Sequence, residues 1–178
     1  YNLLEVINPD GTTETNTYDA NGNLLTNTTK EGTITNTYNE LNQLTSTVDL
    51  NGQETINTYD GPSLTRSKVK DEETNYVYDI YGRVTKTTYA NGTFEQVDYN
   101  DTDRQITSTD KKGNKTSVSY SIYGQRENEV DADGHTKSYT YDSMYPTALL
   151  SVTDGNGHKT AYTYDDNNNL TMLTDALN

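Results

Sequence analysis

The sequence has no cysteine and no tryptophan, one phenylalanine and three prolines in 178 residues. Without cysteine there is no disulfide framework and no thiol chemistry. Aliphatic residues are scarce as well. Leu, Ile, Val and Phe together number 29, about 16% of the chain. No apolar run approaches the roughly 18 residues of a membrane-spanning helix, so no membrane insertion is expected. Positive charge is also short, with 13 Lys and Arg against 27 Asp and Glu and a net charge of −14. Such an acid excess excludes nucleic acid, heparin-like polymers and anionic membranes as main partners, and it favours solubility.

A chain this polar and this charged falls in the compositional range of disordered proteins. Two features oppose that reading. There are 16 Tyr and 32 Thr, both good strand formers. They are also periodic, which a random polar tail is not. The expectation is an ordered β structure whose apolar surface comes largely from tyrosine rings.

The period is about 21 residues. Anchor tyrosines stand at Tyr18, Tyr38, Tyr59, Tyr78, Tyr99, Tyr120, Tyr141 and Tyr164, spaced 19 to 23 residues apart. Four residues after the anchors stand Gly22, Asn42, Ser63, Gly82, Asp103, Gly124, Tyr145 and Asn168. Most of these are Gly, Asn or Asp, which best tolerate a left-handed backbone. Fourteen residues after the anchor comes a second punctuation at Gly32, Gly52, Gly92, Gly113 and Gly134, with Gly157 in the same place after a two-residue insertion. Segments such as DANG (19–22), NPDG (8–11), DLNG (49–52), DKKG (110–113) and DADG (131–134) suit a type I turn closed by a left-handed Gly. In them Asp caps the turn start.

Each repeat therefore holds two turns and two strands of roughly six residues. In TITNTY (33–38), alternation places Ile34, Asn36 and Tyr38 on one face and Thr33, Thr35 and Thr37 on the other. In QLTSTV (43–48) it places Leu44, Ser46 and Val48 together. Two residues before the anchor, the same face carries Tyr76, Val97, Val118, Tyr139 and Tyr162, but Asn16, Asn36 and Asn57 in the early repeats. A tyrosine ring supplies apolar area and keeps a hydroxyl for water. Rings stacked across strands contribute roughly 0.2–1 kcal/mol per pair. The third repeat (59–73) lacks both glycines and carries Pro62. The seventh (141–157) carries Pro146 and two extra residues.

The pattern YDIYGRVTKTTYANG (78–92) closely resembles the YD repeat, also called the RHS repeat. YDANGNLLTNTTKEG (18–32) and YDDNNNLTMLTD (164–175) match it too, and the resemblance covers essentially the whole chain. The family includes Rhs-type polymorphic toxins, wall-associated proteins, shell components of insecticidal toxin complexes, and teneurins. It implies successive β-hairpins forming a spiralling ribbon, a non-enzymatic encapsulating role and, in toxin-bearing members, an enclosed C-terminal toxin domain. The Asp-Pro-rich boundary of those members has no counterpart here, so neither cleavage nor toxicity is assigned to these residues.

The remaining candidates are few. Only His135 and His158 could serve as imidazole bases, and both follow a turn glycine, so no enzymatic activity and no cofactor are expected. DADGH (131–135), DGNGH (154–158) and DDNNN (165–169) resemble fragments of calcium loops, with Asp131, Asp133 and Asp165 as candidate ligands. None completes a six- to eight-oxygen set, and ordinary turns explain them. Tyr81, Tyr89, Tyr123 and Tyr145 lie off the anchor register and are the candidates for stacking on a sugar. NTT (27–29), NGT (91–93), NDT (100–102), NKT (114–116) and NLT (169–171) fit the glycosylation triplet by composition alone.

The expected fold is all-β: antiparallel hairpins, two strands per repeat, forming part of a shell or an open twisted sheet. Residues 1–178 are expected to form one repeat array, a slice of a longer region with partial repeats at both ends. The expected function is a structural scaffold of a secreted or surface protein, partnered by the rest of the array and an enclosed toxin domain. The alternative is a carbohydrate-binding or adhesion module. Edges near 2–8 and 170–174 are expected to allow edge-to-edge self-association.

Overall fold

The computed structural model describes residues 2–176. The described residues form seventeen strands and no helix. By internal contacts the chain divides into two units, Tyr1–Thr93 and Phe94–Asn178. The first holds β1 (Glu5–Ile7), β2 (Thr13–Tyr18), β3 (Leu24–Thr29), β4 (Gly32–Tyr38), β5 (Leu44–Val48), β6 (Glu54–Asp60), β7 (Ser63–Val69), β8 (Glu72–Tyr78) and β9 (Val84–Thr88). The second holds β10 (Phe94–Asn100), β11 (Gln105–Thr109), β12 (Lys115–Tyr120), β13 (Arg126–Val130), β14 (Thr136–Tyr141), β15 (Leu149–Thr153), β16 (Lys159–Tyr164) and β17 (Leu170–Thr174). Within each unit every strand pairs antiparallel with the next in sequence. The result is a meander built only from local hairpins.

The turns follow from the Asp-x-x-Gly chemistry. In the 19–23 turn, Gly22 N–H donates to Asp19 O at 3.1 Å and Asp19 N–H to Asn23 O at 3.0 Å. Gly22 has φ +87°, a conformation glycine reaches without the Cβ penalty. Asn42 and Asn168 occupy the same place at φ +60° and +62°. The irregular repeats turn elsewhere than expected. In the third, Gly61 and not Ser63 is left-handed at φ +53°, and Ser63 already opens β7. In the fifth, Arg104 and not Asp103 takes φ +51°. Gly32 does not close a turn but opens β4 opposite Thr29, at φ +144°. In NPDG the turn starts at Asn8, and Asp10 sits third, accepting Thr12 N–H at 3.0 Å.

A bulge recurs at the anchor. The register shifts between the anchor tyrosine and the residue before it at Tyr18, Tyr38, Tyr59, Tyr78, Tyr120, Tyr141 and Tyr164. The pairing at Tyr99 is regular. Because side chains alternate with period two, one extra residue moves the rest of a strand to the other face. The expected grouping of Leu44, Ser46 and Val48 is therefore broken. Leu44 pairs with Tyr38, whereas Ser46 and Val48 pair with Thr37 and Thr35. Thr47 joins the tyrosine face, where its hydroxyl donates to Asn36 Oδ1 at 2.9 Å.

Burial is shallow. β4 alternates half-buried and exposed, with Ile34, Asn36 and Tyr38 on the covered side and Thr33, Thr35 and Thr37 on the open one. Among the described residues only Ala148 and Ser151 are buried, at 4% and 3% exposure, and no side chain is fully enclosed. Cross-strand pairs take over the work of a core. On the open face hydroxyls meet at Thr17–Thr26 (2.6 Å), Thr28–Thr33 (3.0 Å) and Thr37–Thr45 (3.1 Å).

Candidate functional site

A hydrogen bond from anchor tyrosine to backbone recurs at five of the eight anchors. The hydroxyls of Tyr18, Tyr38, Tyr59, Tyr78 and Tyr164 donate to the carbonyls of Leu3, Leu24, Leu44, Leu64 and Leu149, at 2.7–3.1 Å. Leu24, Leu44, Leu64 and Leu149 are each paired, at the bulge, with the preceding anchor: Tyr18, Tyr38, Tyr59 and Tyr141. At these anchors each hairpin is thus fastened to the one before it. In the early repeats a second donor joins. The amides of Asn16, Asn36 and Asn57 donate to the same carbonyls of Leu3, Leu24 and Leu44 at 3.0–3.1 Å. The sequence reading left the hydroxyls to water and gave these asparagines no task. A Leu does recur five or six residues after Tyr18, Tyr38 and Tyr59, but the acceptor is its main-chain carbonyl, which any residue would supply.

The turns carry most of the fixed charge. Asp19, Asp49, Asp79, Asp110, Asp131, Asp154 and Asp165 each accept two backbone N–H groups on Oδ1, from the residues two and four positions on. At all of these but Asp49, a side chain from the second of these residues then meets Oδ2. It is Asn23, Arg83, Asn114, His135, His158 or Asn169, at 2.7–3.1 Å. These bonds favour the ionised form. The Asn23, Asn114 and Asn169 amides, aided by backbone N–H groups, hold Asp19, Asp110 and Asp165 below the ordinary carboxylate value. The backbone N–H groups of His135 and His158 do most of this for Asp131 and Asp154. The Asp of the Tyr-Asp pair is a turn cap at Asp19, Asp79, Asp142 and Asp165, whereas Asp60 ends β6 opposite Ser63.

Of the calcium candidates, Asp131 and Asp133 lie together, with ligand atoms within 4.8 Å of one another and of His135. Asp165 belongs to the β16–β17 turn, at the other end of the strands from the β13–β14 turn that holds Asp131. All are exposed. The cluster supplies two carboxylates and an imidazole, and both oxygens of Asp131 already accept hydrogen bonds. That donor set is poor in oxygen for calcium. Of the off-anchor rings, Tyr81 is 71% exposed, Tyr123 65% and Tyr145 50%, whereas Tyr89 is half-buried in the turn after β9. The Arg83 guanidinium lies 5.1 Å over the Tyr81 ring and 2.7 Å from Asp79 Oδ2.

A meander of two-stranded units, each with an anchor tyrosine, a bulge and an Asp-capped turn, defines a β-hairpin repeat protein of the RHS type. The RHS Repeat model matches residues 148–178. The chain belongs to the Teneurin YD-shell family, whose model matches residues 1–129. Among curated proteins none matches. Among solved structures, the crystal structure of TcdB2–TccC3 is similar at 15% identity and TM-score 0.61, over 97% of this chain and 11% of that one. The Photorhabdus luminescens Tc holotoxin pore is similar at 17% identity and TM-score 0.59, over 97% of this chain and 11% of that one. At such identities the likeness concerns the fold. The chain spans about a ninth of the length of these structures.

Proposed function

We propose that this chain is a length of wall in the encapsulating scaffold of a secreted or surface-exposed YD-repeat protein, without catalysis of its own. The observation that carries the reading is the tyrosine-to-carbonyl fastening in a protein with almost no buried core. A meander held together hairpin by hairpin can extend without thickening, as repeat proteins do. It then presents two faces, which is what a wall requires. Family membership and the fold likeness support the reading. The proposed partners are the rest of the repeat array and a C-terminal toxin domain enclosed by it. The test is to read the parent gene through to its stop codon and image the full-length product by cryo-electron microscopy. A hollow particle around an unrelated C-terminal domain is expected. A solid rod, or a wall anchor with no such domain, overturns the proposal.

A second reading rests on the exposed rings of Tyr81, Tyr123 and Tyr145. These suit an adhesion module that stacks on sugars. Glycan-dependent protection of these tyrosines from chemical iodination supports it, and unchanged labelling across a glycan panel removes it.

A further inference from the structure

The seventh repeat departs from the others in a way that builds a cavity. Its first turn runs over 142–148, two residues longer than the five-residue turns of neighbouring repeats. The loop closes on itself: Asp142 N–H donates to Ala148 O at 3.0 Å, and Ala148 N–H to Tyr145 O at 2.8 Å. Ala148 is thereby buried, one of only two buried residues described. Between this loop and the 165–169 turn lies a groove of about 580 Å³. Its rings are Tyr145, Tyr162 and Tyr164, and its carboxylates are Asp142, Asp165 and Asp166. No lysine or arginine lines it. The Tyr164 hydroxyl is committed to Leu149 O. The side chains of Tyr162 and Asp166 make no hydrogen bond among the described residues.

We propose that this groove takes a guanidinium or alkylammonium group, and that its ligand is an arginine- or lysine-bearing peptide segment. Tyrosine rings attract a cation placed within about 6 Å of their centres. Carboxylates beside them complete the site: Asp142 and Asp165 already cap their own turns and contribute charge, and Asp166 offers its oxygens to the two-pronged fit that arginine makes with a carboxylate. An anion is repelled by the three carboxylates. A neutral sugar would cover them without a counter-charge, at a desolvation cost. The chain already contains the filled version of this arrangement. In the fourth repeat, the Arg83 guanidinium lies 5.1 Å over Tyr81 and 2.7 Å from Asp79. The groove supplies the rings and the carboxylates but lacks the cation. The net charge of −14 also speeds encounter with a basic segment. The assignment holds whether or not the chain is part of a shell.

The test is titration of the protein with a tetra-arginine peptide, followed by calorimetry and by NMR of the tyrosine rings. Saturable binding that perturbs Tyr145, Tyr162 and Tyr164 and weakens with added salt is expected, with none for tetra-citrulline. Asp166→Asn and Tyr145→Leu change exposed side chains and should each weaken binding by about 3- to 30-fold. Asp71→Asn removes the same charge from an exposed turn in the first unit and should leave affinity unchanged. Equal weakening by Asp71→Asn and Asp166→Asn would mean attraction by overall charge alone and would overturn the site. So would no binding, or a neutral oligosaccharide perturbing the same rings when tetra-arginine does not.

Discussion

The Tyr38 hydroxyl donates to the Leu24 carbonyl at 3.1 Å, and the Asn36 amide donates to the same oxygen at 3.0 Å. The Leu64 carbonyl receives Tyr78 at 2.7 Å, but position 76 is a tyrosine and brings no second amide. The two acceptors therefore differ in what they lose when the hydroxyl is removed. Tyr38→Phe leaves Leu24 with a side-chain partner and should cost at most about 0.5 kcal/mol. Tyr78→Phe leaves Leu64 without one and should cost about 1–1.5 kcal/mol. Urea unfolding of the two variants checks this, and equal costs would show that the asparagine contributes nothing.

Half-burial limits what any one ring can contribute. Tyr99 lies half-buried on β10, whereas Tyr123 is 65% exposed in a turn. Tyr99→Ala should destabilise by about 1–2 kcal/mol, less than the full burial of an aromatic side chain is worth. Tyr123→Ala should fall within the usual surface range of about ±0.5 kcal/mol. Thermal melting of both separates a packed ladder from a decorative one.

The repeat was legible because its turns need special residues. Asp19 with Gly22, or Asp110 with Gly113, can be read directly, since a cap and a positive φ have few alternatives. The bulge at Tyr38 was not legible. It is a register event between two strands, and Leu44-Thr45-Ser46 carries no glycine or proline to mark it. Its consequence, a face change within β5, misled simple alternation. The 142–148 loop was visible as an insertion, but the groove it forms with the 165–169 turn depends on how two repeats lie side by side. The Leu3, Leu24 and Leu44 carbonyls were invisible for another reason: a backbone acceptor leaves no letter in the sequence.

Gly155 offers a test of how closely neighbouring turns pack. A Cβ built on it would lie 2.6 Å from the His135 Cβ, while the space around Gly134 is open. Gly134 instead has φ +88°. Gly134→Ala should cost about 1–2 kcal/mol through its backbone alone. Gly155→Ala should cost about 1–3 kcal/mol through overpacking. Adding His135→Gly should restore much of the Gly155→Ala loss and none of the Gly134→Ala loss. A double-mutant cycle by chemical denaturation gives the coupling.

Acid should loosen the turns before it neutralises the sheet. Asp19, Asp110, Asp131, Asp154 and Asp165 all have folded-state pKa values below the ordinary one, because hydrogen-bond donors favour their ionised form. A carboxylate whose pKa is lowered by folding contributes stability above its unfolded value, about 4, and loses it as pH falls through the folded value. Relief of net negative charge acts in the opposite direction down to the isoelectric point near 4.3. The melting temperature should thus hold or rise slightly from neutral pH to about 4.5 and fall below that. Asp110→Asn keeps an oxygen acceptor but cannot titrate, so it should lower stability at neutral pH and flatten the acid limb. Asp71→Asn, in a turn where the carboxylate caps nothing, should leave the limb unchanged. If both variants shift the curve alike, general charge and not turn capping sets the acid response.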